Sequence, residues 1–117
     1  MKREEQTIHR TIVQHLRARA MPGCVWWHSP NGGWRNPIEA KIFQSAGVKP
    51  GVADLVFLHE GQFFALELKA HGGRLTESQS AFLDDVEAAG GIVACAEGLD
   101  AALRKLERWG LLRGRVT

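Results

Sequence analysis

Asp54, Glu67 and Lys69 are the side chains best placed to do chemistry, because their spacing brings them together. In "DLVFLHEGQFFALELKA", residues 54–70, two apolar runs flank a glycine-containing turn, and these three charges interrupt the runs. A two-residue turn at Glu60-Gly61 pairs His59 with Gln62, and counting back along both strands sets Asp54 opposite Glu67. Side chains alternate faces with period two, so Asp54, Glu67 and Lys69 share one face while Leu55, Phe57, Leu66 and Leu68 share the other. Two facing carboxylates repel, and burial adds a desolvation cost to each. Lys69 supplies part of the compensating positive charge, and a hard divalent cation on oxygen ligands suits the remainder. With neither His nor Cys in the set, Mg²⁺ or Mn²⁺ is preferred to Zn²⁺. The ordinary alternative is a hairpin edge with a surface ion pair. A three-residue turn would undo the coincidence, so the register is itself an expectation.

Two further polar residues lie on apolar stripes. On a helix advancing about 100° per residue, Gln79 falls among Leu75, Phe82, Leu83 and Val86 and so points toward the sheet. It also fits the third position of a capping box started by Thr76, a purely local use. Glu5 lies near the middle of the Ile8, Ile12, Leu16 stripe, where a first-turn carboxylate is also favoured by the helix dipole.

The elements that must position these residues follow from periodicity and punctuation. "EEQTIHRTIVQHLRARA" predicts an amphipathic helix stopped by Pro22-Gly23. "CVWWH" predicts a short strand, "SPNGGWRNP" a loop, and "IEAKIFQSAG" a short helix closed by Gly47. The hairpin of residues 52–58 and 62–70 comes next, then a helix from Thr76 to Gly90-Gly91. The strand "IVACA" and a last helix with Leu99, Leu103, Leu106 and Trp109 inward complete the chain. This order predicts an α/β fold, a small mixed central β-sheet flanked by helices on both faces.

At 117 residues and 44% hydrophobic content the chain suits one domain, residues 1–117, with a modest core. No apolar run approaches the roughly 18 residues of a membrane span and the N-terminus is charged, so a soluble, cytoplasmic protein is expected. A net charge of +2 permits a nucleic-acid partner without requiring one. Cys24 and Cys95 sit in apolar segments without CxxC spacing, which predicts two buried thiols rather than a disulfide or a metal pair.

The segments "EEQTIHRTIVQHL", "PNGGWR", "AKIFQSAGVKPGVADLVF", "ALELKAHGGRLTESQSAFLDDVEAAGG" and "IVACA" resemble the VRR-NUC family of the PD-(D/E)XK nuclease superfamily over nearly the whole chain. E-x-K alone is a weak motif, but the ordered set G-x-x-D, E-x-K and T-x-x-Q after PNGG is specific. Ala53 stands where many relatives have proline before the aspartate, a position without chemistry. The resemblance implies a restriction-endonuclease-like core in which Asp54 and Glu67 bind the metal with help from the carbonyl after Glu67. It implies that Lys69 orients or activates the attacking water, that Gln79 is an accessory catalytic residue, and that Glu5 extends the metal site. Since two carboxylates favour the charged form of Lys69, positioning water and stabilising charge is the expected role, rather than that of a simple general base.

The substrate class this implies is DNA, cut with Mg²⁺ or Mn²⁺. Compact members of the family resemble Holliday-junction resolvases, whose paired nicks on a four-way junction require a twofold homodimer. A nuclease for flaps, forks or duplex DNA and a non-catalytic DNA-binding module are the alternatives. Arg35, Lys41, Lys49, Arg74 and His71 lie around the motif segments and suit phosphate contacts, and Asn31 with the PNGG backbone amides suits a passing strand. That loop is equally a tight turn that needs glycine. Trp26, Trp27 and Trp34 are expected in the core or at a subunit interface rather than stacked on bases.

Overall fold

The computed structural model describes residues 3–30 and 36–114. Helix α1 (Arg3–Arg19) buries Ile8, Ile12 and Leu16, one per turn along a single stripe. Strand β1 (Val25–His28) follows, then α2 (Pro37–Ser45), which starts with Asn36 accepting from the Glu39 amide and with Pro37 in the first turn. Strands β2 (Leu55–His59) and β3 (Gln62–Lys69) form the hairpin, and α3 (Glu77–Ala88), β4 (Ile92–Glu97) and α4 (Leu99–Arg108) complete the order.

The expected two-residue turn is present. His59 pairs with Gln62, and Glu60 and Gly61 both take positive φ, 51° and 78°, as a type I′ turn requires. The sheet runs β1-β2-β3-β4; its first two pairings are antiparallel and β3-β4 is parallel, with α3 as the crossover. Leu55, Phe57, Phe64, Leu66 and Leu68 face α1 and α4 and pack with Ile12, Leu16, Leu103 and Leu106. On the opposite face Ala53, Val56 and Ala65 pack under Leu83 of α3. Among the described residues, no helix is long and apolar enough to cross a membrane.

Gly51 sets how closely the loop carrying Asp54 approaches α3. Its φ is +76°, and a Cβ there would lie 2.2 Å from the Ser78 carbonyl oxygen and 2.6 Å from the Gln79 amide nitrogen. The glycine of G-x-x-D is thus required twice, by conformation and by contact. Gly51→Ala is expected to lower stability by roughly 3 kcal/mol, from left-handed strain plus a backbone clash. Urea denaturation measures this, and a parent-like midpoint would show that the loop parts from α3 at no cost.

One expectation about the cysteines fails. Cys24 is half-buried, but Cys95 is exposed. β4 is an edge strand, and Cys95 sits beside Glu67, outside the apolar cluster under α3 that takes in Val93. The apolar run "IVACA" marks a strand but not its cover: in β4 Ala96 is buried while Ile92 and Cys95 are exposed.

Candidate active site

The β2–β3 ladder ends at Leu55 and Leu66, and Asp54 and Glu67 lie one step beyond it. The backbone amide of Asp54 donates to Glu67 Oε1 at 3.2 Å, and Asp54 Oδ2 accepts from the Leu68 amide at 2.8 Å. All three charges interrupting the hairpin are buried, with Asp54 7%, Glu67 3% and Lys69 9% exposed. Lys69 Nζ stands 3.7 Å from Glu67 Oε2 and 3.9 Å from Glu5 Oε1. The lysine therefore lies between a carboxylate of β3 and one of the first turn of α1, at ion-pair distance from both. Neither contact is a tight hydrogen bond, so its ammonium keeps donors for another partner.

Burial, and then the Asp54 carboxylate, push the Glu67 carboxyl up to about 8, with Lys69 opposing. The shift favours the protonated form of Glu67, which neutralises one of the two facing carboxylates. A divalent cation would supply the same compensation with more charge, and the donors are hard oxygens of the kind Mg²⁺ and Mn²⁺ take. The residues present therefore fit such an ion in the limited sense Mg²⁺ needs, two carboxylates with water completing the shell. Among the described residues no group of three or more His, Cys, Asp and Glu side chains is arranged to hold a metal. Glu5 accordingly stands beside Lys69 rather than completing a three-carboxylate cage.

The other sequence-derived site residues divide into three groups. Gln79 occupies its capping box: its Oε1 accepts from the Thr76 amide at 2.9 Å, and its own amide donates to Thr76 Oγ1 at 3.2 Å. Its side-chain oxygen is used locally, while its backbone lies against Gly51 close to Asp54. Arg74 lines, with Glu5, Lys69, His71 and Thr76, a cleft of about 350 Å³ that meets the charged cluster at Lys69; Asp54 and Glu67 do not line it. His71 is held to Glu97, with Nδ1 3.0 Å from Oε1, and the Gly72 amide donates to the same oxygen, which ties the cleft's loop to the end of β4. Lys41 and Lys49 are exposed on and after α2, which buries none of its described residues, and neither lines this cleft. Asn31, Arg35 and Trp34 lie outside the described residues.

Two histidines that carry no motif also meet here. His28, at the end of β1, places Nδ1 2.7 Å from the Asp54 carbonyl oxygen. His9 of α1 is buried and sets its ring nearly perpendicular to that of His28, with centroids 4.3 Å apart. Burial and then His28 lower the pKa of His9, partly offset by Asp54, so this ring is neutral near pH 7.

A mixed sheet between helices, with two carboxylates and a lysine gathered where its central hairpin ends, defines a nuclease-type domain of the PD-(D/E)XK kind. The family model for the VRR-NUC domain matches residues 2–100, and the chain belongs to that family. A solved structure described as a VRR_NUC domain protein superposes with a TM-score of 0.74 at 18% identity, covering 93% of this chain and 89% of that one, which shows a shared fold. No curated protein matches the sequence.

Proposed function

We propose that the protein is a Mg²⁺- or Mn²⁺-dependent endonuclease that hydrolyses phosphodiester bonds in DNA, with four-way junctions as its first substrate. The observation that carries this reading is the convergence of buried Asp54, Glu67 and Lys69, of which the lysine lines an open cleft. A phosphodiester resists hydrolysis because its anionic oxygens repel a nucleophile and its alkoxide is a poor leaving group. When bound, the cation supplies Lewis acidity toward a phosphate oxygen and lowers the pKa of its water. Asp54 and Glu67 would hold it, and the Leu68 carbonyl is a further candidate oxygen. Lys69 positions the attacking water and stabilises charge that develops on the phosphate. Glu5, at ion-pair distance on the far side, keeps the lysine head at the cleft.

Arg74 and His71 along the same cleft suit phosphate contacts that position a strand without reading its bases. Junction cutting requires a twofold dimer. A homodimer is supported by apolar side chains left exposed, among them Trp27 on β1, Leu58 on β2, and Ile38 and Ile42 on α2.

The test incubates purified protein with labelled four-way junction, flap, duplex and single strand, each with Mg²⁺, Mn²⁺ or EDTA. Paired nicks in the junction, with either metal and not in EDTA, are expected. Equal cutting of plain duplex would remove the junction preference, and cutting confined to flaps would reassign the substrate. No metal-dependent cutting on any substrate would leave a DNA-binding module without turnover.

A further inference from the structure

We propose that His28 is a positioning residue for the cation site, fixing the backbone of Asp54 through its ring, with His9 holding that ring in place. This rests on the reading of Asp54 as a cation ligand. Asp54 lies one step past the last paired residues of the hairpin, so the ladder alone does not hold its peptide groups. Its amide is held by Glu67 and its carboxylate by the Leu68 amide. Its carbonyl is held from β1, where the Ser29 amide donates at 3.4 Å and His28 Nδ1 approaches to 2.7 Å. A carbonyl oxygen only accepts, so His28 Nδ1 carries the proton and the tautomer is fixed. The shorter and better bond to this carbonyl therefore comes from a side chain.

His9 explains why that side chain keeps its orientation. It is 9% exposed, and its Nδ1 has no hydrogen-bond partner among the described residues. A buried polar nitrogen without a partner is costly, and an aliphatic residue would fill a core position at less cost. What histidine offers here is a flat ring standing nearly perpendicular to His28, at 75° between planes. His9 also lies four residues after Glu5, so both project from one face of α1. One helix face thus sets both halves of the site: Glu5 reaches Lys69, and His9 reaches Asp54 through His28.

The test compares His28→Leu, which removes the donor, with His28→Asn, whose amide can present an N–H near the Nδ1 position. Calorimetry with MnCl₂ on the full chain reads the cation site, and the Leu68 amide resonance in metal-free protein reads the Asp54 carboxylate it donates to. His28→Leu is expected to weaken Mn²⁺ binding roughly tenfold or more, as removal of outer ligand-orienting partners does, and to shift the Leu68 resonance. His28→Asn is expected to keep both close to the parent, and His9→Leu to fall between them. A parent-like affinity and Leu68 resonance in His28→Leu would overturn the proposal. So would equal losses in the Leu and Asn variants, since those would report a packing role. A parent protein that binds no Mn²⁺ would take down the cation reading and this inference with it, whereas binding by the parent and by every variant would take down this inference alone.

Discussion

Asp54→Ala and Glu67→Ala are expected to lose both Mn²⁺ binding and DNA cleavage, whereas Lys69→Ala loses cleavage and keeps the metal. The separation follows from where the three side chains stand. Asp54 and Glu67 are joined through the Asp54 amide at 3.2 Å and supply the oxygens, so removing either leaves a single carboxylate for a doubly charged ion. Metal-assisted charge stabilisation is worth several kcal/mol in the transition state, so activity should fall by about three decades or more. Lys69 supplies no oxygen. Its ammonium is 3.7 Å from Glu67 and 3.9 Å from Glu5, and its removal deletes charge stabilisation while sparing the ligands. Loss of one preorganised donor of that kind costs roughly 10²–10³-fold in rate. Calorimetric titration with MnCl₂ alongside cleavage of a labelled junction gives both numbers for each variant. Undiminished Mn²⁺ affinity in both carboxylate variants would show that the ion binds elsewhere, and unimpaired cleavage by Lys69→Ala would deny the lysine its role.

The reach of the sequence can be judged residue by residue. The hairpin register was legible because a two-residue turn and a period-two pattern leave little freedom, even with Glu60 rather than Asn or Gly at a positive-φ position. That register put Asp54 beside Glu67, and the buried triad follows from it. Glu5 was found from its stripe, which brings the first turn of α1 to Lys69. Gln79 satisfied both readings of its position at sequence level, and the geometry realises the capping box.

What stayed hidden depends on three-dimensional neighbours that have no sequence pattern. Exposure of Cys95 needs the strand order and the extent of α3. The helix over "PIEAKIFQS" is where the pattern placed it, yet Ile38 and Ile42 face outward, because periodicity gives the apolar face without saying what meets it. His28 gave no signal because its partner is a main-chain carbonyl 26 residues away, and any residue would provide one.

Glu67→Gln is expected to stabilise the metal-free protein, relative to the parent, as pH rises and to lose most of that advantage once Mn²⁺ is added. The Glu67 carboxyl is raised from 4.5 to about 8 by burial and by Asp54, so between those values the folded chain keeps a proton that the unfolded chain releases. The unfolded state then binds fewer protons, and the contribution of Glu67 to stability falls as pH rises through that window. The slope is at most about 1.4 kcal/mol per unit, so going from pH 5 to pH 8 costs the parent up to about 4 kcal/mol through this group. Glutamine has no proton to lose, so the parent-minus-variant difference cancels the shared titrations and isolates Glu67. With Mn²⁺ the gap narrows, because the parent gains about 2.7 kcal/mol at a hundredfold excess over the dissociation constant, offsetting most of that loss, while the variant lacks an anionic ligand. The ion must also displace the Glu67 proton, so parent affinity should rise about tenfold per pH unit up to about 8 and level above it. Thermal melts of both proteins at pH 5, 6, 7 and 8, in EDTA and in MnCl₂, check both effects. A difference that does not change with pH in EDTA would mean that Glu67 is already ionised across the range, and that Lys69 alone makes the facing carboxylates tolerable.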